Sequence, residues 1–257
     1  MARKIVITSG KGGVGKTTIS AKLSAALARR GQRVLLFDGD FGLNNLDVVT
    51  GLEERITYDI VDVIEGRCRA KQALVKHPDF PNFSLLTSIH AAPERYVSPQ
   101  ALKLVLDGLA PQFDFIFIDC PSGIDEGFHR AVACADEALV VTTPRIETLR
   151  DTDKVITLLK SYRLESVSLV INRLRGELLA VGESLSPKQI EELLKTPVVG
   201  TIPLDESIEE GAFMELHPAF RMLARNLLSK EKIKLYDVTR RYAGVVGALR
   251  RWIKRSM

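Results

Sequence analysis

The sequence predicts one α/β domain, built as a mostly parallel, twisted sheet with helices on both faces and followed by a C-terminal amphipathic helix. Three observations predict it. Apolar runs of strand length alternate with helical patterns as far as residue 202, without a composition break, an internal repeat or a low-complexity tract. The first of these runs leads through a glycine-rich turn into a helical pattern. The last twenty residues differ from the rest in charge and in periodicity.

At 257 residues, 46% of them hydrophobic, the chain holds enough apolar material for a large single core. It has no 18-residue apolar run, so no membrane span is expected. The N-terminus runs straight into a strand, so no signal peptide is expected either. Cys68, Cys120 and Cys134 form neither a C-x-x-C pair nor a zinc pattern and read as incidental thiols of a reducing compartment.

Ile5, Val6 and Ile7 make the first strand. Gly10, Lys11, Gly12, Gly13, Val14, Gly15, Lys16, Thr17 and Thr18 follow, and a helical pattern continues through Ala21, Leu23, Ala26 and Leu27. The spacing G-x-x-x-x-G-K-T between strand and helix is that of a phosphate-binding P-loop, which makes the predicted domain a P-loop NTPase. Glycines let backbone N–H groups gather around an anion, and the helix starts there with its positive end. Lys16 can reach the terminal phosphates, and the Thr17 hydroxyl can ligate Mg²⁺. Lys11 is a second lysine at the far end of the loop, pointing away from its own helix.

Gly31 and Gln32 stop the first helix. Residues 34–37 predict a buried strand ending in Asp38, Gly39 and Asp40. Two acids one residue apart at a strand's carboxyl end suit Mg²⁺ and water positioning, or, taken alone, a polar turn. Residues 58–65 predict a short amphipathic helix closed by Gly66, residues 83–88 a strand, and residues 99–109 a helix with Leu102, Val105, Leu106 and Leu109 on one face. The strand over 113–118 ends in Asp119. This is the Walker B pattern, in which the acid holds Mg²⁺ through water. Gly123 falls where a loop can respond to loss of a γ-phosphate. Further strands are predicted at 138–142, 168–171 and 198–202, with a helix from Leu149 to about Tyr162. Asp151 and Asp153 near that helix start either complement its dipole or meet a partner. Asn172 follows the strand at 168–171. Its amide can bond a purine edge, which makes it the candidate base reader; without the P-loop it is a turn asparagine.

The net charge of +4 is uneven. Residues 238–257 hold six cations and no acid, so +6 lies there and −2 on the other 237 residues. Val238, Tyr242, Val245, Val246, Leu249, Trp252 and Ile253 form an apolar stripe at spacings of three and four. A basic amphipathic helix with an interfacial tryptophan describes a membrane anchor. Each cation near anionic lipid contributes about 1 kcal/mol at most. The same segment also fits a terminal helix docked on the core, or a DNA contact. The expected division is therefore residues 1–237 as the P-loop domain and 238–257 as the membrane-targeting segment.

Six strings carry a family resemblance: KGGVGKTT over residues 11–18, DGDFGLNNLDVVTGL over 38–52, YDIVDVIEG over 58–66, DCPSGIDEG over 119–127, ADEALVVTTP over 135–144 and LRDTD over 149–153. The first alone resembles the wider deviant Walker A family of P-loop ATPases. Together they resemble its MinD branch over roughly residues 3–237. The resemblance implies ATP and Mg²⁺ as cofactors and a sandwich homodimer in the ATP state, with Lys11 reaching the partner's phosphates. It implies that Lys16 and Thr17 hold the β- and γ-phosphates and the ion, and that Asp40 positions the attacking water. Asp38 and Asp119 would organise the metal, and Asn172 with the backbone near Pro203 would contact adenine. The dimer would place two tails on an anionic membrane, and hydrolysis would release it. The face bearing Asp151 and Asp153 would meet MinC-like and MinE-like regulators. The implied role is placement of the division site by a cytoplasmic protein held peripherally at the inner face of the cell membrane. Residues 173–197 and 209–218 depart from the family pattern, and Pro218 suggests a local rearrangement.

Two relatives and one more distant class compete. A FlhG-like flagellar regulator shares the core and a tail, though many carry an extension ahead of the position of Met1. A ParA-like DNA-segregation ATPase would spread basic residues over the body, which is net −2, so no specific nucleic acid is expected. An electron-transfer ATPase of the nitrogenase iron-protein type needs cysteines placed to bridge a cluster, and Cys120 and Cys134 do not match that placement.

Overall fold

The computed structural model describes residues 2–41, 45–88, 97–209, 211–213, 215–229 and 233–242. Among them, β1 (Arg3–Thr8), β2 (Val34–Asp38), β3 (Val75–His77), β4 (Phe80–Leu86), β5 (Phe115–Asp119), β6 (Glu137–Thr142), β7 (Ser166–Leu174) and β8 (Val198–Pro203) form one sheet in the order β3-β4-β2-β5-β1-β6-β7-β8. All neighbours are parallel except β3 and β4. The helices are α1 (Lys16–Ala28), α2 (Leu46–Thr50), α3 (Ile60–Ile64), α4 (Pro99–Leu109), α5 (Glu126–Ala133), α6 (Ile146–Leu159), α7 (Gly176–Leu179), α8 (Pro187–Leu194), α9 (Glu206–Glu209) and α10 (Pro218–Leu228).

The sheet is buried on both faces, which is why its strands are apolar runs. Side chains alternate across a strand. Val6, Leu35, Phe37, Ile116 and Ile118 pack with α3, α4, α5, α6 and α8. Ile5, Ile7, Leu36 and Phe117 pack with α1 and α10 on the other face. Helix α1 packs on the sheet beside α10, which itself seats on β8, and is buried over most of its circumference. Lys22 is therefore only 2% exposed, and its ammonium donates to the carbonyls of Gly211, Ala212 and Glu215 at 2.8, 2.5 and 3.1 Å.

Several expectations shift. The helix expected from Leu149 begins at Ile146, so its first-turn acid is Glu147, and Asp151 sits one turn further on, paired with Lys154 at 3.0 Å. The dipole reading of Asp151 and Asp153 weakens accordingly, because that effect falls off beyond the first turn. Asn172 lies within β7, which runs on to Leu174. Pro218 is no rearrangement but the first residue of α10, where a missing N–H loses nothing, and His217 caps the helix through Nδ1. The antiparallel edge strand β3 was not expected; at three residues it is too short to show a period.

Residues 233–242 run back over the domain. Thr201 Oγ1 donates to the Tyr236 carbonyl at 2.8 Å, Asn226 Nδ2 donates to the Lys234 carbonyl at 2.8 Å, and Val238 is buried. The C-terminal amphipathic helix, apart from residues 238–242, lies outside the described residues. Among the described residues no helix is long and apolar enough to cross a membrane.

Candidate functional site

Parallel strands bring the carboxyl ends of β1, β2, β5 and β7 to one edge, so residues far apart in sequence meet there. Lys11, Gly12 and Gly13 are exposed, Val14 is buried, and Gly10, Gly15, Lys16, Thr17 and Thr18 are half-buried. Gly15 caps α1 in the left-handed conformation, φ +91°, and a Cβ there would stand 2.4 Å from Asn172 Nδ2. Asn172, 6% exposed, donates that amide to the Val14 carbonyl at 2.8 Å. Arg173 sits at φ +55° where the β7–β8 register breaks, and its guanidinium donates to the Gly13 carbonyl and to Glu209, both at 2.8 Å. A planar trans peptide whose carbonyl faces one way turns its N–H the other way. Two carbonyls held by β7 thus direct the N–H groups of Val14 and Gly15 to the opposite side of the loop, as an anion nest requires.

The acids lie beside the loop. The β2–β5 register sets Asp38 opposite Asp119. Asp119, 3% exposed, accepts from Thr17 Oγ1 at 2.8 Å and from Ser20 Oγ at 2.7 Å. Burial raises its pKa, opposed by the Lys16 charge and these two hydroxyls. Asp38 is pushed up to about 8, first by burial and then by the charge of Asp119, although the N–H groups of Asp40 and Leu46 donate to it at 3.0 and 3.4 Å. Asp40 is half-buried at the loop's mouth.

Two buried carboxylates set opposite each other, of which Asp119 accepts from the threonine hydroxyl at the head of α1, fit a divalent cation, whose charge would relieve their mutual repulsion. Among the described residues no group of three or more acidic, histidine or cysteine side chains could cage a metal. An ion here would rely on Thr17, on Asp119 and on phosphate oxygens, as in P-loop sites. Cys120, next to Asp119, is buried and pushed up to about 12, so it stays a thiol, and burial likewise pushes Cys134 up to about 12.

One cavity opens beside the loop and a second adjoins it farther out. The first, about 730 Å³, is lined by Lys11, Arg145, Arg173 and Arg175, among others. The other, about 930 Å³, contains Pro203 and shares Arg175, Leu204 and Glu209 with the first.

The sequence profile of the CobQ/CobB/MinD/ParA nucleotide binding domain matches residues 5–216. A Bacillus subtilis protein, "Septum site-determining protein MinD", is 41% identical over an alignment of 262 positions that covers 97% of each chain. The chain belongs to the MinD family of septum-site-determining P-loop ATPases. MinD solved in the MinC:MinD cell division protein complex of Aquifex aeolicus is similar in structure, with TM-score 0.82 and 37% identity over 91% of this chain and 98% of that one. Pyrococcus horikoshii MinD, solved with Mg-ADP, has TM-score 0.76 and 32% identity over 88% of this chain and 96% of that one.

Within this MinD-type site two residues escaped sequence reasoning. Ser20 shares the Asp119 carboxylate. Its spacing of three from Thr17 on the same helix face was a usable signal. Arg173 reaches the loop only because of its left-handed backbone, which no pattern announces.

Proposed function

We propose that this protein hydrolyses Mg-ATP to ADP and phosphate, dimerises in the ATP state and uses membrane residence of the dimer to place the division site. The contact of Asp119 with both Thr17 and Ser20 beside a pinned P-loop carries this reading, because it puts a metal-positioning acid at the phosphate end of the site. Magnesium, when bound, would supply positive charge at the phosphate oxygens. Lys16 would neutralise those phosphates, and Thr17, Asp119 and Asp38 are the residues that would hold the ion and its water. Asp40 orients the attacking water. Lys11, exposed on the loop's outer side, reaches the phosphates of a partner protomer. Such positioning and charge neutralisation is most of what phosphoryl transfer needs.

The output is the tail. One basic amphipathic segment binds a membrane reversibly, and two joined in a dimer gain avidity. On this reading the protein is cytoplasmic and held peripherally at the inner membrane face. The Mg-ADP of the Pyrococcus relative supports the cofactor reading, and the Aquifex complex supports a MinC-like partner; the proposed docking face for it and for a MinE-like regulator is the one bearing Asp151 and Asp153. Vesicle sedimentation with ATP, with ADP and without nucleotide tests the reading. Anionic vesicles should retain the full chain with ATP only, and Trp252→Glu should release it while nucleotide binding persists. Equal sedimentation in all three conditions would refute it.

A further inference from the structure

We propose that the root of the tail, residues 236–242, forms one wall of the nucleotide's base pocket, with Tyr242 and Arg241 as base- and ribose-contacting residues. The inference rests on the nucleotide reading above and adds residues to that site. The larger cavity begins at Leu174 and Pro203, at the carboxyl ends of β7 and β8, and joins the cavity at the P-loop through Arg175, Leu204 and Glu209. The trough touches the phosphate loop at residues 11–14 and reaches Pro203 at its other end, so a nucleotide with its phosphates on the loop and its base at Pro203 would extend along it. The trough's far wall is Tyr236, Val238, Arg241 and Tyr242.

This wall is closely seated. A Cβ on Gly176 would stand 2.1 Å from the Val238 carbonyl oxygen and 2.8 Å from the Tyr242 ring, so α7 and the root approach as only glycine permits. Arg241 donates to Asp205 at 3.2 Å, two residues past Pro203, and Asp205 in turn accepts from the N–H and hydroxyl of Ser207 at the start of α9. An aromatic ring and a guanidinium are the side chains that stack on bases without needing a hydrogen-bond code. The tail continues directly from Tyr242. By linkage, a base that holds this wall in place changes the tail's affinity for a surface by the same factor as the surface changes affinity for the nucleotide.

The test compares ADP with inorganic tripolyphosphate, which has no base, on the full chain by calorimetry. Tyr242→Ala should weaken ADP at least about five-fold, the lower bound for losing one base–aromatic stack, and leave tripolyphosphate unchanged, while Tyr242→Phe restores ADP binding. Gly176→Ala displaces the same wall from behind and should show the same selective loss. ADP affinity unchanged in Tyr242→Ala, or both ligands weakened alike in both variants, overturns the inference. Wild-type protein that binds neither ligand overturns the nucleotide reading itself, and the inference with it.

Discussion

Asn172 Nδ2 lies 2.8 Å from the Val14 carbonyl oxygen, so a side chain near the end of β7 holds the middle of a loop that precedes it by 158 residues. The same nitrogen occupies the space a Cβ on Gly15 would take. Asn172 is therefore a loop support before it is a base reader, and a contact to a base amino group falls to its Oδ1.

Asn172→Ala leaves the buried Val14 carbonyl without this donor. It should weaken ADP and base-free tripolyphosphate together, by about ten-fold, or about 1.4 kcal/mol, within the usual penalty for an unpaired buried group. Loss of ADP binding alone would assign Asn172 to the base and not to the loop.

Lys16→Ala removes the cation nearest the phosphates and Asp119. It should abolish nucleotide binding and ATP-dependent dimerisation, measured by sedimentation velocity. Dimers persisting in ATP would contradict the P-loop assignment.

Lys22→Met keeps the apolar stem and removes an ammonium shared by three carbonyls. The carbonyls left behind should lower stability by about 1–3 kcal/mol or more. The chain should also become cleavable near residues 211–215 at protease levels the wild type survives. An unchanged denaturant midpoint would show that water replaces the ammonium without loss.

Arg3 and Glu137 pair at 2.6 Å at the β1–β6 boundary. The Arg3 hydrogen bond, opposed by burial, holds the Glu137 pKa below its ordinary value. A depressed folded pKa contributes stability that is fully present above the unfolded value, about 4.3, and is lost as pH falls through the folded value. Glu137→Gln should flatten the fall in stability below about pH 4.3 and leave its slope near neutrality unchanged. An acid limb as steep as the wild type's would place the titrating group elsewhere.

Much of the site was legible because P-loop chemistry is local. Gly10 to Thr18 must lie between strand and helix for the loop to wrap a phosphate, and Asp38 and Asp119 announce themselves by closing apolar strands. Helix α10, which His217 caps and Pro218 opens, was missed because a proline reads equally as a break or a start until the chain beyond it is seen to pack. Arg173 was missed because its role depends on a positive φ at a register break. The place of residues 236–242 beside Pro203 was missed because it joins segments with no shared pattern.

The sequence by itself determined seven of the eight strands, helices α1, α3, α4 and α6, their burial on two faces and the phosphate loop. Those follow from periodicity and from spacing within a few residues, which local sterics and apolar burial enforce, whereas the family was carried by the resemblance of six strings. Only the tertiary structure decided that Asn172 and Arg173 hold Val14 and Gly13, that Ser20 joins Thr17 on Asp119, and that Tyr242 closes against Gly176. Each is a contact at hydrogen-bond or van der Waals range between distant segments, and such contacts depend on strand order and register, which the order of elements along the chain does not specify.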